Sequence, residues 1–280
     1  MPLKRKRYNM GMTQFIESHA HVMDSAFDAD RDAVVARAFD AGIKSIVEIA
    51  CDAGEWGPAL ELADKYDGKI FVAAGIHPSM ASNYSAGARA ELKKILTHKK
   101  VLAVGEIGLD YVHMSGTAEQ QKEVFYQMLS LASEVKKPVV LHVRKSAEPS
   151  DWGAYSDTFK ILKTARPPYE NGGVMHCFSG RYEDAAAALD MGLKLGVNGI
   201  ITYKKNNDLR ETIRRVGAKN ILFETDCPYL PPQRARGQRN EPAHIPEIAK
   251  FTADFLNMRV EELAEITSEN CRKVFGIILN

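Results

Sequence analysis

Two histidines separated by a single residue, His19-Ala20-His21, are the sharpest local feature of this chain. Strand geometry repeats every two residues, so on a strand both imidazoles face one way and Ala20 the other. Two neutral imidazoles side by side can ligate one metal ion, although the pattern alone is weak evidence. Other ligand-type residues stand where apolar runs end. Glu106 closes Val101-Leu-Ala-Val-Gly-Glu106, and each of its carboxylate oxygens can take a cation. His142 closes Val139-Val-Leu-His142 and His176 closes Gly173-Val-Met-His176, which makes a second group of nitrogen donors. Asp226 follows Ile221-Leu-Phe-Glu-Thr225; it could ligate a metal and also take a proton from a metal-bound water. A mixed nitrogen and oxygen set suits Zn or Mn, whereas all-oxygen sites suit Mg better.

These residues need a scaffold that gathers distant strand ends. Apolar runs at 15–18, 45–49, 70–74, 101–106, 138–142, 173–176, 193–197 and 221–225 read as strands. Amphipathic stretches at 30–41, 56–66, 88–96, 119–135, 157–164, 182–191 and 208–216 read as the helices between them, the first closed by Gly42. Two more helices, 246–256 and 260–275, end the chain. Eight β–α units in strict order predict an α/β fold, a (β/α)8 TIM barrel, with the strand ends and His77 converging on one rim. No G-x-G-x-x-G turn follows the first strand, which argues against a dinucleotide-binding sheet. Alternation puts Glu17 on the face of His19 and Glu224 on the face of Asp226, so both are expected to orient ligands from behind. The same alternation points Cys177 and Cys227 away from their neighbours, as small core residues and not ligands. Arg144, two residues past His142, could hold a phosphate. The basic loop 228–242 should lie over the barrel mouth, where Arg234, Arg236 and Arg239 could bind substrate by tracking a nucleic-acid backbone; for any one of these arginines solvated surface charge is the better reading.

The chain has 280 residues, 45% hydrophobic and 26% charged, with a net charge of +1. That suits one large barrel and offers no global field for nucleic acid or membrane. Four cysteines without a C-x-x-C pair suggest no zinc knuckle or disulfide scaffold, and a reduced, cytoplasmic setting. No apolar run is long enough to span a bilayer. Residues 1–14 read as a basic leader segment and 15–280 as a single catalytic barrel.

Seven segments, in order, carry a resemblance: Glu17-Ser-His-Ala-His21, Gly75-Ile-His-Pro78, Gly105-Glu-Ile-Gly-Leu-Asp-Tyr111, Leu141-His-Val-Arg144, His176-Cys-Phe-Ser-Gly180, Glu224-Thr-Asp-Cys-Pro-Tyr-Leu230 and Arg239-Asn-Glu-Pro242. From about Phe15 to Phe275 the sequence resembles the TatD-type DNases, within the amidohydrolase-like metal-dependent hydrolases. The resemblance implies two divalent ions (Mg, Mn or Zn). His19, His21, Glu106 and Asp226 would hold one, and Glu106, His142 and His176 the other, with Glu106 bridging. It implies that His77 sits near the substrate phosphate and is not a metal ligand. Glu17, Cys227, Ser79 and the pair Val112-His113 depart from the usual pattern, which bears on substrate choice while the ligand set is intact.

The expected activity is hydrolysis of DNA phosphodiesters, single-stranded or at 3′ ends, as a 3′-5′ exonuclease. The ions would lower the pKa of a bound water from 15.7 toward about 7, and Asp226 would accept its proton, making Asp226 and Glu106 the catalytic pair. The rival enzyme keeps the metals and cleaves an amide, ester or lactone; cations facing the metals would mark the first, a neutral pocket the second. A non-enzymatic scaffold would have lost a ligand, and none is lost. The sequence leaves monomer or weak oligomer open.

Overall fold

The computed structural model describes residues 13–114, 116–146, 148, 153–165 and 171–278; of the basic leader, residues 1–12 lie outside these. Eight strands alternate with helices: β1 (Phe15–Ala20), α1 (Arg31–Asp40), β2 (Ile43–Ala50), α2 (Ala53–Lys65), β3 (Ile70–Ala74), α3 (Ala86–Ile95), β4 (Val101–Asp110), α4 (Ala118–Val135), β5 (Val139–Arg144), α5 (Gly153–Thr164), β6 (Gly173–Met175), α6 (Tyr182–Asp190), β7 (Leu193–Val197), α7 (Asn207–Val216), β8 (Ile221–Phe223), α8 (Ile245–Leu256) and α9 (Val260–Phe275). The strands form one sheet in the order β1 to β8, each paired parallel to the next. Near the C-terminal ends of the strands the sheet is drawn together across β8 and β1. The Asp226 N–H donates to the His19 carbonyl at 3.0 Å and the His21 N–H to the Cys227 carbonyl at 2.9 Å. This is the (β/α)8 TIM barrel that the alternation predicts.

Two apolar layers fix the frame. Phe15, Val72, Val104, Leu141 and Leu195 pack outward against the helices, with Trp56, Phe125 and Phe27 among the largest fully buried side chains. Ile16, Val47, Ala73, Ala103, Val140, Val174 and Leu222 form a second cluster with Phe275 and Ile277, from the end of α9 and just beyond it. Strands buried on both faces are why the sequence reads as continuous apolar runs instead of alternating ones.

Above that inner layer the strand ends turn polar, and the turns that follow are capped by mouth residues. The Asp24 carboxylate accepts from Ala26 N–H and the Asp52 carboxylate from Gly54 N–H, both at 2.7 Å. His77 accepts from Ser79 N–H at 3.1 Å. Each cap satisfies a donor that a turn or helix start leaves free. Two glycines are demanded by close approach. A Cβ on Gly196 would lie 2.3 Å from the Glu224 carboxylate, and one on Gly108, at φ +141°, would lie 2.1 Å from the His142 carbonyl.

Candidate metal centre

Six donor residues from five strand ends meet at the mouth. His19 lies within β1 and His21 just beyond it, and their Nε2 atoms are 3.3 Å apart. Asp226, three residues past β8, places Oδ1 3.6 Å from His19 Nε2 and 3.5 Å from His21 Nε2. Glu106 in β4 divides its carboxylate. Oε2 lies 3.5 Å from His19 and 4.0 Å from His21. Oε1 lies 2.5 Å from His142 Nδ1 and 3.5 Å from His176 Nε2. Donors held about 2.1 Å from one ion at tetrahedral angles stand about 3.4 Å from each other. The spacing within the set His19, His21, Asp226 and Glu106 is that of ligands around a cation, too wide for most to be hydrogen-bonded to each other. The donor chemistry, imidazole plus carboxylate, fits a borderline divalent metal.

Carboxylates also stand behind the imidazoles. Glu224 Oε1 is 3.1 Å from His176 Nδ1 and accepts from Cys177 N–H at 2.6 Å. Asp110 Oδ2 is 3.2 Å from His142 Nε2, the nitrogen turned away from Glu106. Asp110 is itself held: Oδ1 accepts from the N–H groups of Val112 and His113 at 2.7 and 2.8 Å. Its backbone exchanges two 2.9 Å hydrogen bonds with the buried Gln121 side chain. Glu17 accepts from the backbone N–H of His19 and of Thr225, at 2.9 and 3.0 Å, and so ties β1 to the residues after β8 beside His19 and Asp226.

The family description "TatD related DNase" matches residues 16–276. This chain belongs to the TatD-related DNase family. It is 35% identical to YabD of Bacillus subtilis, an uncharacterised metal-dependent hydrolase, over 93% of this chain and 98% of that one. It is 34% identical to the 3′-5′ ssDNA/RNA exonuclease TatD of Pantoea ananatis, over 92% and 98%. The crystal structure of YJJV, a TatD homologue from Escherichia coli, superposes with a TM-score of 0.85 at 30% identity, covering 95% of this chain and 99% of that one. The chain is therefore a metal-dependent hydrolase.

Electrostatics explain why this TatD-family mouth suits cations. Glu17, Glu48, Glu106, Asp110, Glu224 and Asp226 are all buried there. Among the described residues none of the six pairs with a lysine or arginine, and Glu17 Oε2 and Glu224 Oε2 accept no hydrogen bond. Uncompensated buried carboxylates are costly unless a cation joins them. Burial pushes Glu17 up to about 8, which favours its neutral acid, and Glu48 up to about 7, where the N–H groups of Val22 and Met23 work against burial. Burial works against ionisation of Glu106 too, but the imidazoles of His176, His142 and His19 outweigh it and hold its carboxyl well below the usual range. Burial, then the neighbouring His176, lowers His19, which keeps it an unprotonated donor.

The cavity at this mouth holds about 620 Å³ and is lined by His21, Glu106, His142, His176 and Asp226 as well as His77 and Arg144. His77 Nε2 is 3.9 Å from Glu106 Oε1, and its Nδ1 is 2.7 Å from Ser79 Oγ. β5 runs on to Arg144, two residues past His142, which puts the two on one strand face. Arg239 is not among the lining residues. Its guanidinium is committed to both oxygens of Asp30 at 2.8 Å and to the Ala26 carbonyl, over the Phe27 ring. Arg234 is paired with Glu247, and Arg236 lies over Tyr203.

One expectation is corrected. Cys227 is a buried core residue, but Cys177 is partly exposed and groups with His176 and Asp226, their donor atoms within 4.8 Å of each other. β6 ends at Met175 and Cys177 turns to φ +46°, so strand alternation no longer applies there. Sequence reasoning also gave no role to Asp110, Glu48 or Cys51, whose Sγ is 4.0 Å from Glu106 Oε2. Asp110 was findable: it lies four residues after Glu106, on the same strand face, once β4 is known to continue to residue 110.

Proposed function

We propose that this chain hydrolyses phosphodiester bonds of DNA, single-stranded or at 3′ ends, as a 3′-5′ exonuclease using two divalent ions. The catalytic unit is the barrel of residues 15–280. The observation that carries the reading is Glu106, whose two oxygens face two different donor groups. His19, His21 and Asp226 would hold one ion with Oε2, and His142 and His176 the other with Oε1. Ions of the Mg, Mn or Zn type bound there supply Lewis acidity, lowering the pKa of a water and neutralising phosphate charge. The protein's own groups do the rest. Asp226, held unprotonated by His176 and its other imidazole neighbours against the effect of burial, accepts the proton of the attacking water. Asp110 fixes the ring orientation of His142 by a hydrogen bond, and Glu224 stands as an ionic partner 3.1 Å from His176 Nδ1. Arg144 at the rim and His77 within the cavity position the phosphate.

The name of the Pantoea relative, a 3′-5′ exonuclease of single-stranded DNA and RNA, supports the substrate class. A second reading, hydrolysis of an amide, ester or lactone, is favoured by one feature. Asp24, Asp52 and Glu55 line the cavity, and Arg144 is its single arginine or lysine among the described residues. Assaying single-stranded oligonucleotides beside a panel of lactones and acyl amides, with Mg, Mn and Zn and with chelator, separates the two. Chelator-sensitive release of nucleotides from 3′ ends is expected. Turnover of lactones or amides with intact oligonucleotides would replace the first reading by the second. Full activity of Glu106→Ala on every substrate would remove the two-metal scheme altogether.

A further inference from the structure

Tyr229 is an aromatic side chain left in the open at the place where substrate must enter. It is 53% exposed, one of five exposed large hydrophobic residues among those described, and the one of the five that lines the active-site cavity. Its ring stands edge-on to His21, with centroids 6.1 Å apart. An exposed aromatic at a loop would ordinarily move, but this one is fixed at both ends. Its hydroxyl donates to Asp24 Oδ2 at 2.9 Å. Its backbone N–H donates to the Asp226 carbonyl at 2.9 Å, and its own carbonyl accepts from the Asn240 side-chain amide at 2.6 Å. Asn240 is fully buried, and the same amide also donates to the Thr225 carbonyl. The ring is therefore a preorganised surface in contact with solvent, next to the donor His21. Nucleobases stack on such surfaces whatever their sequence.

The surrounding charge says which nucleotide it receives. Asp24, Asp52 and Glu55 line the cavity with Tyr229, and their carboxylates are locked by hydrogen bonds to Ala26 N–H, Gly54 N–H and Cys51 N–H. A phosphate placed against that wall would meet fixed negative charge. Arg144, with His113 3.4 Å away, also lines the cavity and offers the phosphate a cationic contact. We propose that Tyr229 is the stacking platform of a subsite for the uncharged terminal nucleoside, one that bears no further phosphate. This rests on the nuclease reading above and deepens it: the site engages a free end.

The test uses the full chain and two single-stranded oligonucleotides with Mn, one ending in a normal 3′ nucleotide and one ending in an abasic residue. The wild type is expected to prefer the base-bearing end by roughly ten-fold in kcat/KM, the scale of one base–aromatic stack. Tyr229→Ala should bring that ratio close to one, while Tyr229→Trp restores it. Equal losses on both oligonucleotides in Tyr229→Ala would overturn the proposal, since that pattern marks a general structural role. A fluorescent 2-aminopurine at the 3′ end gives a second readout that needs no cleavage. Tyr229-dependent quenching without hydrolysis by the wild type would sink the nuclease reading and keep the subsite. Quenching that is absent, or unchanged in Tyr229→Ala, would overturn the subsite whether or not DNA is cut.

Discussion

Replacing Glu106 by glutamine keeps the shape of the side chain and removes the charge that both donor groups share. The wild-type protein, stripped by chelator and then given Mn at about 100 times the dissociation constant, should gain about 2.7 kcal/mol per bound ion. Unfolding entropy near 2.1 cal/mol/K per residue gives about 0.6 kcal/mol/K for a chain of this length. Two ions should then raise the melting temperature by about 9 °C. Glu106 Oε2 lies 3.5 Å from His19 and Oε1 3.5 Å from His176, so the substitution reaches both groups at once. Loss of affinity should be at least the ~100-fold upper end seen for residues one step removed from a metal. At the same Mn concentration each ion then stabilises by about 0.4 kcal/mol, and the rise shrinks to about 1–2 °C. Differential scanning fluorimetry with metal content measured on the same samples reads this directly. A shift in Glu106→Gln equal to the wild type, with two ions bound, would refute the shared-carboxylate geometry.

Three further outcomes follow from contacts in the fold. Asp110→Asn should weaken metal binding roughly 10- to 100-fold in a chelator-competition titration, because His142 loses the carboxylate 3.2 Å behind it; unchanged affinity would show that Asp110 does not orient the ring. Glu17 is a buried acid raised from 4.5 to about 8, so its folded form holds a proton that its unfolded form has released. Its contribution is full below pH about 4.5 and is lost as pH rises through about 8, a loss of a few kcal/mol that Glu17→Gln should not show. Urea unfolding in chelator at pH 5 and pH 8 checks the sign; an equal gap between wild type and variant at both pH values would contradict it. Arg239→Ala should lower the melting temperature and leave kcat/KM on single-stranded DNA within about two-fold, since its guanidinium is spent on Asp30 and Ala26. A large fall in kcat/KM with an unchanged melting temperature would return Arg239 to the substrate.

The amino-acid sequence determined the architecture and singled out the candidate donors, because strand ends are written in short-range periodicity. Runs of β-branched and aliphatic residues alternate with 3.6-residue amphipathic stretches, and that order admits a parallel barrel whose strand ends share one rim. His19, His21, Glu106, His142, His176 and Asp226 each close or follow an apolar run, so their meeting could be argued before any coordinates. What the fold alone decided depends on where strands stop and how they register. β4 continues past Glu106 to Asp110, and its pairing of Gly108 with His142 sets Asp110 beside that ring. Local φ of +46° at Cys177 and +58° at Asp226 breaks the two-residue alternation, so the direction of those side chains could not be read from parity. Arg239 and Asp30 are 209 residues apart in the chain, and their ion pair exists because the loop after β8 folds back over α1. Patterns along a strand are local and survive in sequence, whereas contacts between the ends of strands are set by packing across the whole barrel.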